Sequence, residues 1–168
     1  TIDYVTAEMS TSTALSMPKG YWRTDPAETP AGAMTGIGVH IVDGMIDLFG
    51  EIAEVTCINA RRAAPHADDT TAVLMQHKNG VVATFTGCFA TVPGYRFAVA
   101  GSAGTGEILG HFLDRLTITP LPEGKHGTPA TASEVIETKG YNMLGAALDA
   151  FAGEHLPAIT VPDIPEGL

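Results

Sequence analysis

One histidine and two carboxylates, His40, Asp43 and Asp47, stand three and four residues apart in the stretch Met34 to Gly50, MTGIGVHIVDGMIDLFG. On a helix turning about 100° per residue, that spacing gathers them with Gly36 and Gly44 into one narrow stripe. An imidazole can give and take a proton at neutral pH, so acid–base work is one chemistry the stripe could perform. The same three side chains can be read as metal ligands. No second Cys/His cluster stands nearby and no HExxH pattern occurs, so a metal is not expected. A third reading is structural, with His40 a packed side chain hydrogen-bonded to a neighbour.

The element that must position these groups is the helix itself. Ile37, Ile41, Val42, Met45, Ile46, Leu48 and Phe49 spread over an apolar arc wider than the roughly 100° stripe of a surface helix. Most of the helix is therefore expected to be buried, with only the polar stripe open to water or a cleft. Glycine costs a helix interior about 1 kcal/mol relative to alanine, so Gly36 and Gly44 suggest that a ligand or another backbone approaches closely. Before the helix, Ser10 to Ala33 is rich in Ser, Thr, Pro and Gly, and Pro18, Pro26 and Pro30 forbid regular structure. Loops longer than about 12–15 residues commonly carry function. Trp22, the single tryptophan, and Arg23 in this loop thus either wall a site or pin the loop to the core.

At 168 residues with 45% hydrophobic and 17% charged side chains, the chain suits one globular domain with a sizeable core. Its apolar runs are too short to span a bilayer. A net charge of −10 without any cluster of basic residues argues against nucleic acid or an anionic membrane as partner. Cys57 and Cys88, in strand-like segments without a CxxC pattern, read as reduced, buried residues of a cytoplasmic protein, with a single disulfide as the alternative. The chain opens on Thr1 and closes without a finishing element, and both ends look cut from something longer.

Ile2 to Met9 and Glu51 to Ala60 read as strands. Thr70 to Lys78 and Val81 to Ala90 flank Asn79-Gly80 and predict a hairpin with a two-residue turn. That turn pairs Leu74 with Phe85 and sets Leu74, Val81, Ala83, Phe85 and Phe89 on one face, with Val73, Met75, Val82 and Cys88 on the other. Both faces then need cover, helices on one and another sheet or subunit on the other. Tyr95 to Ala100 is a further strand, and the glycine-rich segment from Gly101 to Gly110 lacks the GxGxxG spacing and a following helical period. It reads as a hairpin turn rather than a phosphate loop. Arg115 to Leu121 and Glu134 to Thr138 complete the strands, and Asn142 to Ala152 is an amphipathic helix. Strands flanked by helices without strict βαβ alternation predict an α+β domain: a mostly antiparallel open sheet with helices on one face.

The segment Gly38-Val39-His40-Ile41-Val42-Asp43 fits GxHxxD on a helix led in by glycines. With the Trp22-Arg23 loop, the Asn-Gly hairpin and the Val-Ala-Gly-Ser-Ala-Gly turn, it resembles the C-terminal domain of the glucose-fructose oxidoreductase, inositol dehydrogenase and MocA family. The resemblance implies an N-terminal Rossmann domain that binds NAD or NADP and is absent from residues 1–168, which form one substrate and oligomerisation domain. It implies that His40 is the active-site histidine, hydrogen-bonding the reacting hydroxyl and helping to move its proton, with Trp22, Arg23 and Asp43 contacting a sugar, inositol or related polyol. Many members carry an aspartate four residues before the histidine, where this chain has Gly36. The rival reading is accordingly a binding or scaffold protein that keeps the fold without the chemistry. By itself the chain is expected to bind no NAD or NADP, to have no turnover, and to associate with itself through the exposed sheet face.

Overall fold

The computed structural model describes residues 1–110, 114–122 and 133–137. The helix expected at Asn142 to Ala152 and the loop over 123–132 lie outside the described residues, as does Thr138 of the last expected strand. Eight strands form one sheet: β1 (Ile2–Ser10), β2 (Ile52–Ala60), β3 (Thr70–His77), β4 (Val82–Cys88), β5 (Gly94–Gly101), β6 (Gly104–Leu109), β7 (Arg115–Pro120) and β8 (Glu134–Glu137). Their order is β2-β3-β4-β1-β5-β6-β7-β8. Every pairing is antiparallel except that of β1 with β4. A parallel pair needs a crossover, and here it consists of the long loop, helix α1 (Val39–Phe49) and the β2–β3 hairpin. The glycine-rich segment is the β5–β6 hairpin, as expected, with Gly101 paired to Gly104.

The β3–β4 register differs from the expectation by one residue. Val73 pairs with Phe85 and Leu74 with Thr84. The loop holds three residues, Lys78, Asn79 and Gly80, closed by His77 N–H to the Val81 carbonyl at 2.8 Å and Gly80 N–H to the His77 carbonyl at 2.9 Å. Gly80 takes φ +94°, the bulge position of a three-residue loop, a conformation that favours glycine. A slip of one residue exchanges faces. Val73, Met75, Val81, Ala83 and Phe85 are therefore buried together, whereas Leu74 and Val82 lie on the open face.

Helix α1 covers the buried face. Ile41, Met45 and Phe49, spaced by four, pack on Val5, Ala7, Val73, Met75, Ala83, Phe85 and Phe97. The helix ends at Gly50, whose φ of +82° lets its N–H reach the Ile46 carbonyl at 2.8 Å. The hairpin tip serves the carbonyls left over at this end: the Asn79 amide donates to Phe49 O at 2.9 Å, and the His77 ring lies 2.7 Å from Gly50 O through Nδ1. The broad buried arc expected for this helix is not found. Val39, Ile46 and Leu48 are exposed, because one helix lying on one sheet buries only the stripe that faces it.

A second cluster, Ala14, Ala33, Ile37, Ala64, Ala67 and Phe89, ties the long loop to the end of the sheet. Asp69, fully buried, organises this end. Its Oδ2 accepts N–H bonds from Ala64 at 2.5 Å and Ala63 at 2.6 Å, and its Oδ1 accepts the Thr70 hydroxyl at 2.7 Å and the Arg62 N–H at 3.1 Å. Burial alone pushes the Asp69 carboxyl up, but these four donors together outweigh it and hold the group below the usual carboxylate range. A carboxylate depressed on folding stabilises the fold above its unfolded pKa of about 3.9 and loses that contribution as pH falls through its lower, folded value. Asp69→Asn, which turns an amide NH₂ toward N–H donors, is expected to cost about 2–4 kcal/mol at neutral pH. Urea unfolding at pH 7 and again well below pH 4 tests this, the wild-type advantage shrinking at the acid end.

Both cysteines are free, and Cys57 is exposed rather than buried because it sits on the outermost strand, β2, to the side of the helix. No described helix is long and apolar enough to cross a membrane.

Candidate functional site

Helix α1 is entered through a single π-turn, Met34–Gly38, an irregularity that often marks functional positions. Its glycines have a packing reason. A Cβ on Gly36 would stand 2.0 Å from Cζ of Phe89, and one on Gly38 would stand 2.4 Å from the Met34 sulfur and 2.6 Å from Phe85 Cε1. The close approach expected at Gly36 is made by a buried aromatic ring rather than by a ligand or a backbone, and at Gly44 nothing comes within 4 Å. Phe89 thus occupies the space into which a side chain at position 36 would project.

One turn beyond Gly36, His40 is exposed, as are Asp43 and Asp47. They lie on the side of α1 opposite Ile41, Met45 and Phe49, pointing away from the sheet. None of the three makes a side-chain hydrogen bond or ion pair with another described residue, so the packed reading of His40 does not hold. Among the described residues no group of three His, Cys, Asp or Glu side chains could hold a metal ion.

The long loop brings a second set of groups to the same end of the helix. Arg23 lies with its guanidinium carbon 4.1 Å from the centre of the Trp22 ring, and its Nη1 donates to the Tyr21 hydroxyl at 2.9 Å. Arg23 and Tyr21 face a cavity of about 480 Å³, whose other walls are Thr11, Thr13, Ser16, Met17, Pro18, Gly36, Ile37 and Phe89. Trp22 turns to the far side of the loop, into a cavity of about 630 Å³ shared with Lys19, Asp25, Glu28, Arg61 and His66. The structure therefore joins Arg23 to the start of the helix and sets Trp22 behind it as the surface on which the guanidinium rests. His40 and Asp43 line neither cavity. Thr11, Thr13 and Ser16 escaped the sequence reading, since hydroxyls scattered through a loop carry no spacing signal, and Phe89 was read only as a residue of a sheet face. Tyr21 was visible only as the neighbour of the Trp-Arg pair.

An open, mostly antiparallel sheet with a helix on one face matches the fold of a dehydrogenase C-terminal domain. The chain belongs to the GFO/IDH/MocA C-terminal domain family, which matches residues 1–107. Among solved structures it is similar to levoglucosan dehydrogenase in complex with NADH and levoglucosan, at 17% identity and a TM-score of 0.66 over 82% of this chain and 40% of that one. It is similar also to an oxidoreductase domain protein from Kribbella flavida, at 24% identity and a TM-score of 0.64 over 82% and 40%. UDP-N-acetylglucosamine 3-dehydrogenase GnnA from Acidithiobacillus ferrooxidans matches at 18% identity and a TM-score of 0.66 over 90% and 47%. The chain thus spans less than half the length of each of these structures. No curated protein matches it by sequence.

Proposed function

We propose that residues 1–168 are the substrate and oligomerisation domain of an NAD(P)-dependent oxidoreductase that acts on a hydroxyl of a sugar, inositol or related polyol. The observation that carries the reading is the placement of Gly36 in the floor of the Arg23 cavity, with His40 one helical turn further on and open to solvent. A substrate seated against Arg23 and the loop hydroxyls extends along α1 toward His40, which takes the proton of the reacting hydroxyl as that carbon becomes a carbonyl. Asp43, on the same exposed side, holds a neighbouring hydroxyl.

The described residues do not themselves fit a dinucleotide. A pyrophosphate cradle needs a glycine-rich turn opening a helix, and the glycine-rich turn here joins two strands. NAD or NADP is assigned to a further domain of the parent, in keeping with the share of each related structure that this chain covers. Substrate-dependent reduction of NAD or NADP by the parent protein tests the reading. A parent that reduces neither cofactor with any sugar or polyol leaves the scaffold reading in its place.

The open face of the sheet supports self-association. It presents Tyr4, Ile58, Leu74 and Val82 around an ion pair in which Arg96 Nε meets Glu107 Oε1 at 2.6 Å. Leaving several such apolar side chains in water forgoes several kcal/mol at about 25 cal/mol per Å², and two sheets set face to face bury them on both copies. Size exclusion with light scattering is expected to show a discrete dimer or tetramer, weakened by Leu74→Asp. A clean 17.5 kDa monomer at tens of micromolar removes this part of the proposal.

A further inference from the structure

We infer that the substrate of this site carries an anionic group, a carboxylate or a phosphate attached to the sugar, and that Arg23 is the residue that recognises it. The inference rests on the substrate-site reading above and adds the chemical class of the ligand. The chain holds 19 Asp and Glu against 9 Lys and Arg, and what sets Arg23 apart is its place on a cavity wall whose described residues include no acid, since Arg61 and Arg62 likewise form no ion pair among the described residues. Arg96 is paired with Glu107, and Lys78 with Glu51. Arg23 has no carboxylate partner among the described residues, and the described residues that wall its cavity are hydroxyls and apolar groups with no Asp or Glu, so that Arg23 is the one charged side chain among them. The neighbouring cavity differs, since Asp25 and Glu28 offset Lys19 and Arg61 across it.

The guanidinium is also held in place. The Trp22 ring lies against it and one N–H is spent on the Tyr21 hydroxyl, so its orientation is set before a ligand arrives. A guanidinium carries five N–H donors, and a carboxylate or phosphate takes two of them side by side. Thr13 and Ser16, on the cavity wall, are placed to meet the sugar hydroxyls, and the Phe89–Ile37 floor offers an apolar surface to the ring carbons.

Trp22 is the only tryptophan and sits against Arg23, so its fluorescence reports on this guanidinium and on the cavity that Trp22 itself lines, and the Arg23 variants separate the two. At constant ionic strength the chain is titrated with D-glucose, D-glucuronate and D-glucose 6-phosphate, and with acetate and inorganic phosphate as sugar-free anions. The expected result is a midpoint for at least one acidic sugar that is about tenfold or more below that of glucose and below that of its sugar-free anion. The tighter of the two acidic sugars identifies the anion as carboxylate or phosphate. Arg23→Gln is expected to erase the advantage over glucose, and Arg23→Lys, a point charge without the fork, to retain part of it. Equal midpoints for glucose and the acidic sugars, sugar-free anions that bind as tightly, an advantage that survives in Arg23→Gln, or no response to either acidic sugar each overturn the inference. In the parent, an Arg23→Gln variant whose KM rises for NAD(P) and not for the sugar also overturns it, because the anion is then the cofactor's. Failure of the oxidoreductase reading shows separately, as absent cofactor reduction, since the titration involves neither cofactor nor turnover.

Discussion

Gly36→Ala is expected to destabilise the fold, and Gly36→Asp to do so by about 3–5 kcal/mol, although glycine to alanine within a helix ordinarily gains up to about 1 kcal/mol. The new Cβ would stand 2.0 Å from Phe89 Cζ and 2.7 Å from Cε2, so the ring must leave its place. That ring is only 4% exposed and packs among Ala14, Ala33, Ile37, Ala64 and Ala67, while its backbone is tied to Asp69 and Ala14. Swinging it into the adjoining cavity exposes an aromatic side chain worth about 1.5–3 kcal/mol of burial and fills the space assigned to substrate. The aspartate adds the desolvation of a carboxylate without a donor. Gly44→Ala is the control, because nothing lies within 4 Å of that position and alanine there is expected to stabilise by about 0.5–1 kcal/mol. Opposite signs for two glycines of one sequence stripe, read from denaturant midpoints, test the packing account directly. Phe89→Leu combined with Gly36→Ala is expected to recover part of the loss, a coupling that two distant sites do not show. A stabilising Gly36→Ala contradicts the account.

The same ring bears on the acid that the family resemblance leads one to expect four residues before His40. With Phe89 over Gly36, position 36 holds no side chain, and the cavity floor is apolar where a carboxylate would otherwise project. On the proposed reading, proton transfer at this site uses His40 without an acid one turn before it.

What the sequence made legible follows from how local each signal is. The strands, the helix and the Asn79-Gly80 reversal are written in runs of a few residues and were read correctly. Register was not, because Asn-Gly serves both a two-residue turn and the bulge of a three-residue loop. Parity could have decided it: Val73 and Met75 on one strand face the same way as Val81, Ala83 and Phe85 on the next only if the loop holds an odd number of residues. The width of the buried helix face was misjudged for another reason. The apolar arc counted residues without knowing that a single layer of sheet lies against them, and Ile46 and Leu48 fall beside the covered stripe and are exposed. The stripe of His40, Asp43 and Asp47 was legible as a stripe. That Gly36 shares a cavity with Arg23 was not, since this depends on how Phe89, just past the end of β4, packs with the long loop and the helix entry.

On the proposed oxidoreductase reading, His40→Ala in the parent protein is expected to lower kcat by about 10²- to 10⁴-fold, the usual contribution of a positioned acid–base group. The exposure of His40 makes the variant informative. A surface histidine without a hydrogen-bond partner among the described residues contributes little to stability, within about 0.5 kcal/mol, so lost turnover cannot be ascribed to unfolding. Equal midpoints in denaturant for variant and wild type establish that point before any rate is compared. Asp43→Asn separates a second role. It lies one turn on, on the same exposed side but unpaired with His40, and a residue that only holds a substrate hydroxyl raises KM while kcat stays near its starting value. If kcat falls equally in both variants, the two side chains act as one unit in the proton transfer, and Asp43 takes the part that Gly36 cannot. If His40→Ala leaves kcat unchanged, the proton is moved by another group and His40 has no part in the transfer.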